Sequence, residues 1–206
     1  SGKTTLLNLI PRLYPAPDKT IFFDGIDINE WPLKDLRDQI GYVSQDAFLF
    51  NDTVFENVSF GLFQWATQTQ REPLVVESSQ RAAVHPDICR MDKAYETQLG
   101  ERGSNVSGGQ RQRLTIARAL ATEPPLLILD DALSAVDMQT EELILKNLRE
   151  RKNRNTEIIS AHRVSTVKHS DLIYVLEKGK IIQAGSHEEL IKQRNRLYWR
   201  FYEQQR

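Results

Sequence analysis

The chain has 206 residues, 40% hydrophobic and 27% charged, enough for one α/β domain with an appended lobe. Lys plus Arg (27) nearly balances Asp plus Glu (28) for a net charge of -1, so no overall positive field recommends nucleic acid as a partner and none is expected. The single cysteine, Cys89, cannot close an internal disulfide and reads as a small buried or half-buried residue in a reducing compartment, and no apolar run approaches the roughly 20 residues that cross a bilayer.

The chain opens on Ser1-Gly2-Lys3-Thr4-Thr5 followed by Leu6-Leu7-Asn8-Leu9-Ile10. This matches the second half of G-x-x-x-x-G-K-S/T, a phosphate-binding loop running into its helix. Backbone N–H groups at such a turn cradle phosphate oxygens, Lys3 reaches the β- and γ-phosphates, and the Thr4 hydroxyl ligates Mg²⁺. The pattern reads as cut inside the motif, and an ordinary helix start is the competing reading. Pro11 ends this helix, because proline cannot donate back to the preceding turn. Thr20 to Phe23 reads as a strand, Asp24-Gly25 as a turn and Ile26 to Ile28 as the returning strand. Pro32 to Asp38 is a short helix and Ile40 to Ser44 a second short strand. Gln45-Asp46 then lead into a loop carrying Phe48, Leu49 and Phe50, either a core anchor or a surface covered by another chain.

From about Asn51 to Thr122 the pattern is helical. Thr53 to Val58 forms one or two turns, and Val75 to Val84 a longer helix that His85-Pro86-Asp87 interrupts. Ser107 and Gln110 have the spacing of a capping box, and Leu114, Ala117 and Ala121 give the following helix an apolar stripe. A helix N-terminus preceded by glycines and topped by a serine suits an anion.

Leu126-Leu-Ile-Leu129, between Pro124-Pro125 and Asp130-Asp131, reads as a strand buried on both faces that ends where charge becomes tolerable. In open α/β sheets ligands sit at that end. Asp130 can hold Mg²⁺ directly or through water, and Asp131 can orient or deprotonate an attacking water. A buried strand followed by an Asp-rich turn is the competing reading. Asp137 can cap a helix from Met138 to Arg149. Thr156 to Ser160 is another strand, and His162 at its end is placed to be functional. Leu172 to Leu176, a turn at Lys178-Gly179 and Ile181-Ile182 make a hairpin. Ser186 and Glu189 form a second capping box, opening a final helical region whose Leu197, Tyr198, Trp199, Phe201 and Tyr202 dock on the domain or a neighbour.

Together these segments resemble the nucleotide-binding domain of ABC transporters, from Ser1 to about Ile191. Val106-Ser107-Gly108-Gly109-Gln110 is similar to the family's signature motif, with Val where Leu is usual. Lys3 and Thr4 correspond to Walker A, Gln45 to the Q-loop, Asp130 to Walker B, Ser134 to Asp137 to the D-loop and His162 to the switch histidine. Gly100-Glu101-Arg102-Gly103 resembles the segment typical of exporters. The resemblance implies a RecA-like P-loop NTPase core at 1–50 and 123–206, with a mostly helical lobe at 51–122. It implies two such domains paired head to tail, with each ATP between one domain's Ser1, Gly2, Lys3, Thr4 and Thr5 and the other's Ser107, Gly108, Gly109, Gln110 and Asp137. Mg²⁺ would be held by Thr4, Gln45 and Asp130, and hydrolysis carried by Asp131, His162 and Gln45. A transmembrane domain, fused upstream or on another chain, would hold the assembly at the cytoplasmic face of a membrane.

Two departures from the family matter. The opening of the phosphate loop and the aromatic residue that stacks on adenine lie outside the chain. Asp131 stands where active members usually carry Glu; one methylene shorter, its carboxylate stops roughly 1 to 1.5 Å short of the water, worth on the order of 100-fold in rate. That substitution resembles the weaker half of heterodimeric exporters. The alternatives are a soluble ABC ATPase of DNA repair or translation, and a regulatory module that holds ATP with little hydrolysis.

Overall fold

The computed structural model describes residues 2–62, 66–150 and 155–205. In chain order the elements are α1 (Lys3–Leu9), β1 (Phe22–Phe23), β2 (Ile26–Asp27), α2 (Leu33–Asp38), β3 (Ile40–Val43), α3 (Val54–Ser59), α4 (Gln68–Arg81), α5 (His85–Cys89) and α6 (Gly108–Ala121). They continue with β4 (Leu126–Asp130), α7 (Met138–Arg149), β5 (Thr156–Ser160), α8 (Val164–Val167), β6 (Ile173–Glu177), β7 (Lys180–Gly185), α9 (His187–Lys192) and α10 (Leu197–Gln205). Contacts divide the chain into two compact units, one of Ser1–Leu36 with Ile159–Arg206 and one of Arg37–Ile158.

The unit Arg37–Ile158 is built on β4. Its sheet has the order β3-β4-β5, and β3 runs parallel to β4 with Ile40 opposite Leu126 and Val43 opposite Leu129. All five β4 residues are buried, which is why this segment is an unbroken apolar run rather than an alternating one. Pro124 and Pro125 precede it without costing a bond, since Leu126 N donates to Gln39 O and Pro125 O accepts from Thr156 N. α6 starts on the expected capping box: Ser107 Oγ accepts from Gln110 N at 3.1 Å and Gln110 Oε1 from Ser107 N at 3.0 Å. Leu114, Ile116, Ala117, Leu120 and Ala121 are buried along it.

The loop carrying Phe48 to Phe50 is tied down by polar groups. Leu49 is fully buried, whereas Phe48 is 49% exposed, so the loop is both a core anchor and an open aromatic surface. Asn57, itself buried, accepts from Phe50 N at 2.8 Å and donates to Phe50 O at 3.0 Å and Thr53 O at 2.9 Å. Arg118 crosses from α6 to donate to Asn57 O at 2.7 Å, Asn57 Oδ1 at 2.7 Å and Phe48 O at 2.8 Å. Burial pushes the Arg118 pKa down to about 10, so the group stays cationic at neutral pH.

Three expectations for this unit need correction. The helix predicted from Val75 starts at Gln68, because Gln70 Oε1 accepts from both the N–H and the hydroxyl of Thr67 and so caps the end. Its first turns lack an apolar stripe and contain Pro73, which hides them from a periodicity argument. Arg71 anchors those turns instead, donating to Glu56 at 3.1 Å and Ser59 at 3.1 Å from α3. His85-Pro86-Asp87, read as an interruption, opens α5, with proline where its missing N–H costs nothing. Cys89 is exposed rather than buried.

In the unit of Ser1–Leu36 with Ile159–Arg206, β1 and β2 pair antiparallel, as do β6 and β7. Asp24-Gly25 (φ 48 and 81) and Lys178-Gly179 (φ 50 and 75) turn these hairpins with positive φ at both central residues, the geometry that matches strand twist. β1 is shorter than the predicted Thr20 to Phe23, because the Thr20 hydroxyl closes a local turn onto Pro17 O at 2.6 Å. Val164, Ile173, Val175, Leu190 and Tyr198 form the core, with Leu197 and Tyr202 packed against it. Phe201, expected to dock, is 41% exposed.

Replacing Asn57 by alanine removes one of the three acceptors of Arg118 and both side-chain partners of the Phe50 backbone. The expected cost is about 3 kcal/mol, read as a thermal midpoint lower by roughly 6 to 12 °C in calorimetry; an unchanged midpoint would show that the network carries no stability.

Candidate functional site

Each unit carries its own share of the predicted site. In the unit of Ser1–Leu36 with Ile159–Arg206, Ser1 lies outside the described residues. Gly2 caps α1 in the left-handed region (φ 91), and the two threonines that follow Lys3 are exposed. Lys3 Nζ donates to Ala161 O at 3.2 Å and lies 3.5 Å from His162 Nε2. Residues 159 positions apart are thereby brought together. An ammonium has donors alone, so a hydrogen bond here makes Nε2 the acceptor and leaves the imidazole proton on Nδ1.

In the unit Arg37–Ile158, the carboxyl ends of parallel β3 and β4 lie at one edge of the sheet. Exposed Gln45 follows β3 there, and β4 ends in Asp130 and Asp131. Asp130 is 1% exposed, and among the described residues its Oδ2 has no hydrogen-bond partner. Burial, and after it the Asp130 charge, raise the pKa of the Tyr42 phenol on β3. Asp131 turns the chain in the left-handed region (φ 50), which Asp tolerates better than most side chains. Its carbonyl accepts from Ser134 Oγ at 2.9 Å, which starts the loop to α7.

That loop lies against the start of α6. A Cβ on Gly109 would sit 3.0 Å from Ala135 O, so a side chain there would need the loop to give by a few tenths of an ångström. Gln112, 5% exposed, donates to Ser134 Oγ at 3.1 Å and accepts from Ala135 N at 2.8 Å. The exposed Ser107 and Gly108 therefore top a helix braced from behind by the 134–137 loop. Asp137 ends the loop by capping α7, accepting from Thr140 N at 3.0 Å. The backbone hydrogen bond from Thr140 holds the Asp137 carboxyl below the usual carboxylate range.

The donor set fits a Mg²⁺–phosphate ligand better than a protein-only metal cage. Among the described residues, no three His, Cys, Asp or Glu side chains converge to hold a metal. Magnesium in phosphate-handling sites takes one or two carboxylates and completes its shell with phosphate oxygens and water. The orphaned buried oxygen of Asp130 suits that role.

The sequence pattern of the family described as ABC transporter matches residues 1–134. The chain belongs to the ABC transporter family. It is an ATP-binding domain of the exporter type, with the mixed α/β fold and parallel sheet of that family. A Staphylococcus aureus protein named as a multidrug export ATP-binding/permease protein is 46% identical over 190 residues, 92% of this chain and 32% of that protein. The ATP-dependent lipid A-core flippase of Methylobacillus flagellatus is 43% identical over the same length, with the same shares covered. The structure of a bacterial Atm1-family ABC exporter with ATP bound superposes with a TM-score of 0.91 at 39% identity, covering 99% of this chain and 35% of the exporter. The chain thus spans about a third of each relative's length. Among its described residues, no helix is long and apolar enough to cross a membrane.

Two features of this ABC domain escape a reading by motifs. Gln112 sits in the run Gln110-Arg-Gln-Arg113, which looks like a solvated helix face. A signal was available, since Gln112 precedes the buried Thr115, Ile116 and Ala119 at helical spacing. Asn57 and Arg118 meet across 61 positions, and no local pattern announces such a pair.

The Asp137 cap yields a pH test. A carboxylate held below its ordinary pKa contributes stability that is present above its unfolded value and lost as pH falls through the folded one. Asp137→Asn keeps a capping oxygen without the charge, so it should match wild type near pH 7 and lose less stability between about pH 4 and 2. Parallel losses in urea-unfolding midpoints across that range would refute the charged cap.

Proposed function

We propose that this domain binds and hydrolyses ATP to drive an exporter. The observation that carries the reading is the buried Asp130 carboxylate at the end of β4, with one oxygen lacking a partner. An uncompensated buried acid is retained against its cost where a cation will complete it. The family motifs assign the Mg²⁺ contacts to Thr4, Gln45 and Asp130; the ion, when bound, neutralises charge developing on the phosphates. Gly2, Lys3, Thr4 and Thr5 then hold the phosphates, with Lys3 leaving the Ala161 carbonyl for the γ-phosphate. Asp131 accepts a hydrogen bond from the attacking water and His162 meets the γ-phosphate oxygens; the water oxygen bonds to the γ-phosphorus as the bond to the bridging oxygen breaks, ADP leaves with that oxygen, and the water's proton passes to the phosphate product.

The signature residues serve a second copy or a related domain. Exposed Ser107 and Gly108, with half-buried Gly109, top a capped 14-residue helix, and a helix N-terminus favours a γ-phosphate. ATP is then the glue of a head-to-tail pair, and hydrolysis releases it. Residues 51–122 act as the lobe that carries this surface. Exposed Phe48 and Phe60, with Phe50 stacked on Phe60 at 4.6 Å, offer an aromatic face to a transmembrane partner at the cytoplasmic side of a membrane. The names of the relatives point to drug-like or lipid substrates for that partner.

Asp131 makes this site the slower half of an asymmetric pair. Its left-handed backbone fits Asp, and its short side chain limits its reach to the water. In the assembled transporter, Asp131→Glu should raise turnover at this site, whereas Asp131→Asn should change the total by less than about two-fold. Loss of all ATPase activity in Asp131→Asn would make Asp131 a working base and sink the asymmetric reading.

Asp130→Asn tests the cation. It should cut Mg²⁺-dependent hydrolysis by about 100-fold or more. It should also raise the thermal midpoint without nucleotide, because a buried unpartnered charge is gone, and abolish the further rise that Mg·ATP gives wild type. A mutant still stabilised by Mg·ATP over ATP alone would remove Asp130 from the cation site.

A further inference from the structure

The segment carrying His162 is held from an unexpected place. α8 opens two residues after His162, and the Val164 side chain is buried with Ile173, Val175, Leu190 and Tyr198. From α10, Gln205 Oε1 accepts from Val164 N at 2.7 Å, and Gln205 Nε2 donates to His162 O at 3.0 Å. One amide therefore pins the peptide groups on both sides of Arg163, as a neighbouring β-strand would. A single orientation of the amide achieves this, since a flipped one would set oxygen against carbonyl and NH₂ against N–H.

The His162 side chain is exposed, so packing does not set its direction. Its backbone does: Lys3 holds the Ala161 carbonyl on one side of it, and Gln205 holds its own carbonyl and the Val164 amide on the other. Gln205 is exposed as well, and ordering a long exposed side chain costs rotamer entropy. Two well-formed bonds to one strap of backbone offset that cost.

We propose that Gln205 is a positioning residue for ATP hydrolysis, which clamps the His162 carbonyl and the Val164 amide from α10 so that the imidazole is presented to the γ-phosphate in one orientation. The role rests on the reading of His162 as the group that meets the γ-phosphate. It makes α10 part of the hydrolytic apparatus without touching nucleotide. Misplacement of a reacting group by about 1 Å can cost on the order of 100-fold, and a clamp on its backbone acts within that range.

The test uses the assembled transporter carrying this domain with the partner domain's hydrolytic site inactivated, so that steady-state ATPase reports this site alone, and thermal unfolding is measured alongside. Gln205→Ala should lower kcat by about 10-fold with KM for ATP within about two-fold and an unchanged thermal midpoint. Gln204→Ala, on the same helix, should behave as wild type. Gln205→Glu retains an acceptor for Val164 N but sets a carboxylate oxygen against the His162 carbonyl. It should do no better than the alanine variant at pH 7.5. A Gln205→Ala enzyme with wild-type kcat, while His162→Ala is inactive, overturns the clamp alone. Falls in kcat, affinity and thermal midpoint together overturn it in favour of a structural helix contact. Wild-type turnover in His162→Ala overturns the reading of the histidine and the clamp with it.

Discussion

A strand buried on both faces has no freedom to place its polar groups, and β4 imposes that constraint on everything attached to it. Its peptide groups must be met by neighbours on either side, which β3 and β5 provide. Its side chains must be apolar until the sheet edge is reached. Asp130 lies inside that limit, at the last position of the strand and still buried. A carboxylate there destabilises the folded chain unless a cation completes it. The fold therefore carries at the end of β4 a buried carboxylate oxygen that has no hydrogen-bond partner among the described residues.

The chain leaves this strand under equally tight conditions. Asp131 adopts a left-handed conformation and its carbonyl is taken by Ser134, so the loop folds back at once instead of extending into solvent. The return puts the Ala135 carbonyl against Gly109, where a Cβ would sit a tight 3.0 Å from its oxygen. The strand end and the signature helix are thus one mechanical piece within the unit Arg37–Ile158, coupled through Gln112.

Much of this arrangement was legible in the sequence because it is local. The capping boxes at Ser107 and Ser186, the Asp137 cap, the Asp-Gly and Lys-Gly turns and the apolar run before Asp130 each lie within a few residues, and each appears where expected. Where the expectations missed, another interaction had overridden the local signal. α4 begins on polar residues because Arg71 reaches Glu56 and Ser59, and His85-Pro86 starts a helix rather than ending one because proline is harmless in a first turn. Lys3 beside His162, and Arg118 on Asn57, are contacts between distant residues that hydrophobic period and turn chemistry do not encode. The groups that hold the motif residues in place lie far from them in the chain, so no local pattern names them.

Those holding groups share a chemistry. Functional loops cannot form ladders of their own, and here side-chain amides stand in for the missing strand. Asn57 pairs with both the N–H and the carbonyl of Phe50. Asn105 accepts from Gly100 N and donates to Gln98 O, just before the signature motif. Gln112 accepts from Ala135 N and donates to the Ser134 hydroxyl, and Gln205 spans His162 O and Val164 N. An amide is the one side-chain group that offers a donor and an acceptor side by side without charge, as a peptide does. It can brace backbone without adding a charge to the loop it holds. A carboxylate in the same place would repel the carbonyl it replaces a donor for, and a lysine would compete for phosphate. At these positions Gln to Glu or Asn to Asp is therefore a severe change despite its near-identical shape, whereas the same exchange on a solvated helix face is mild.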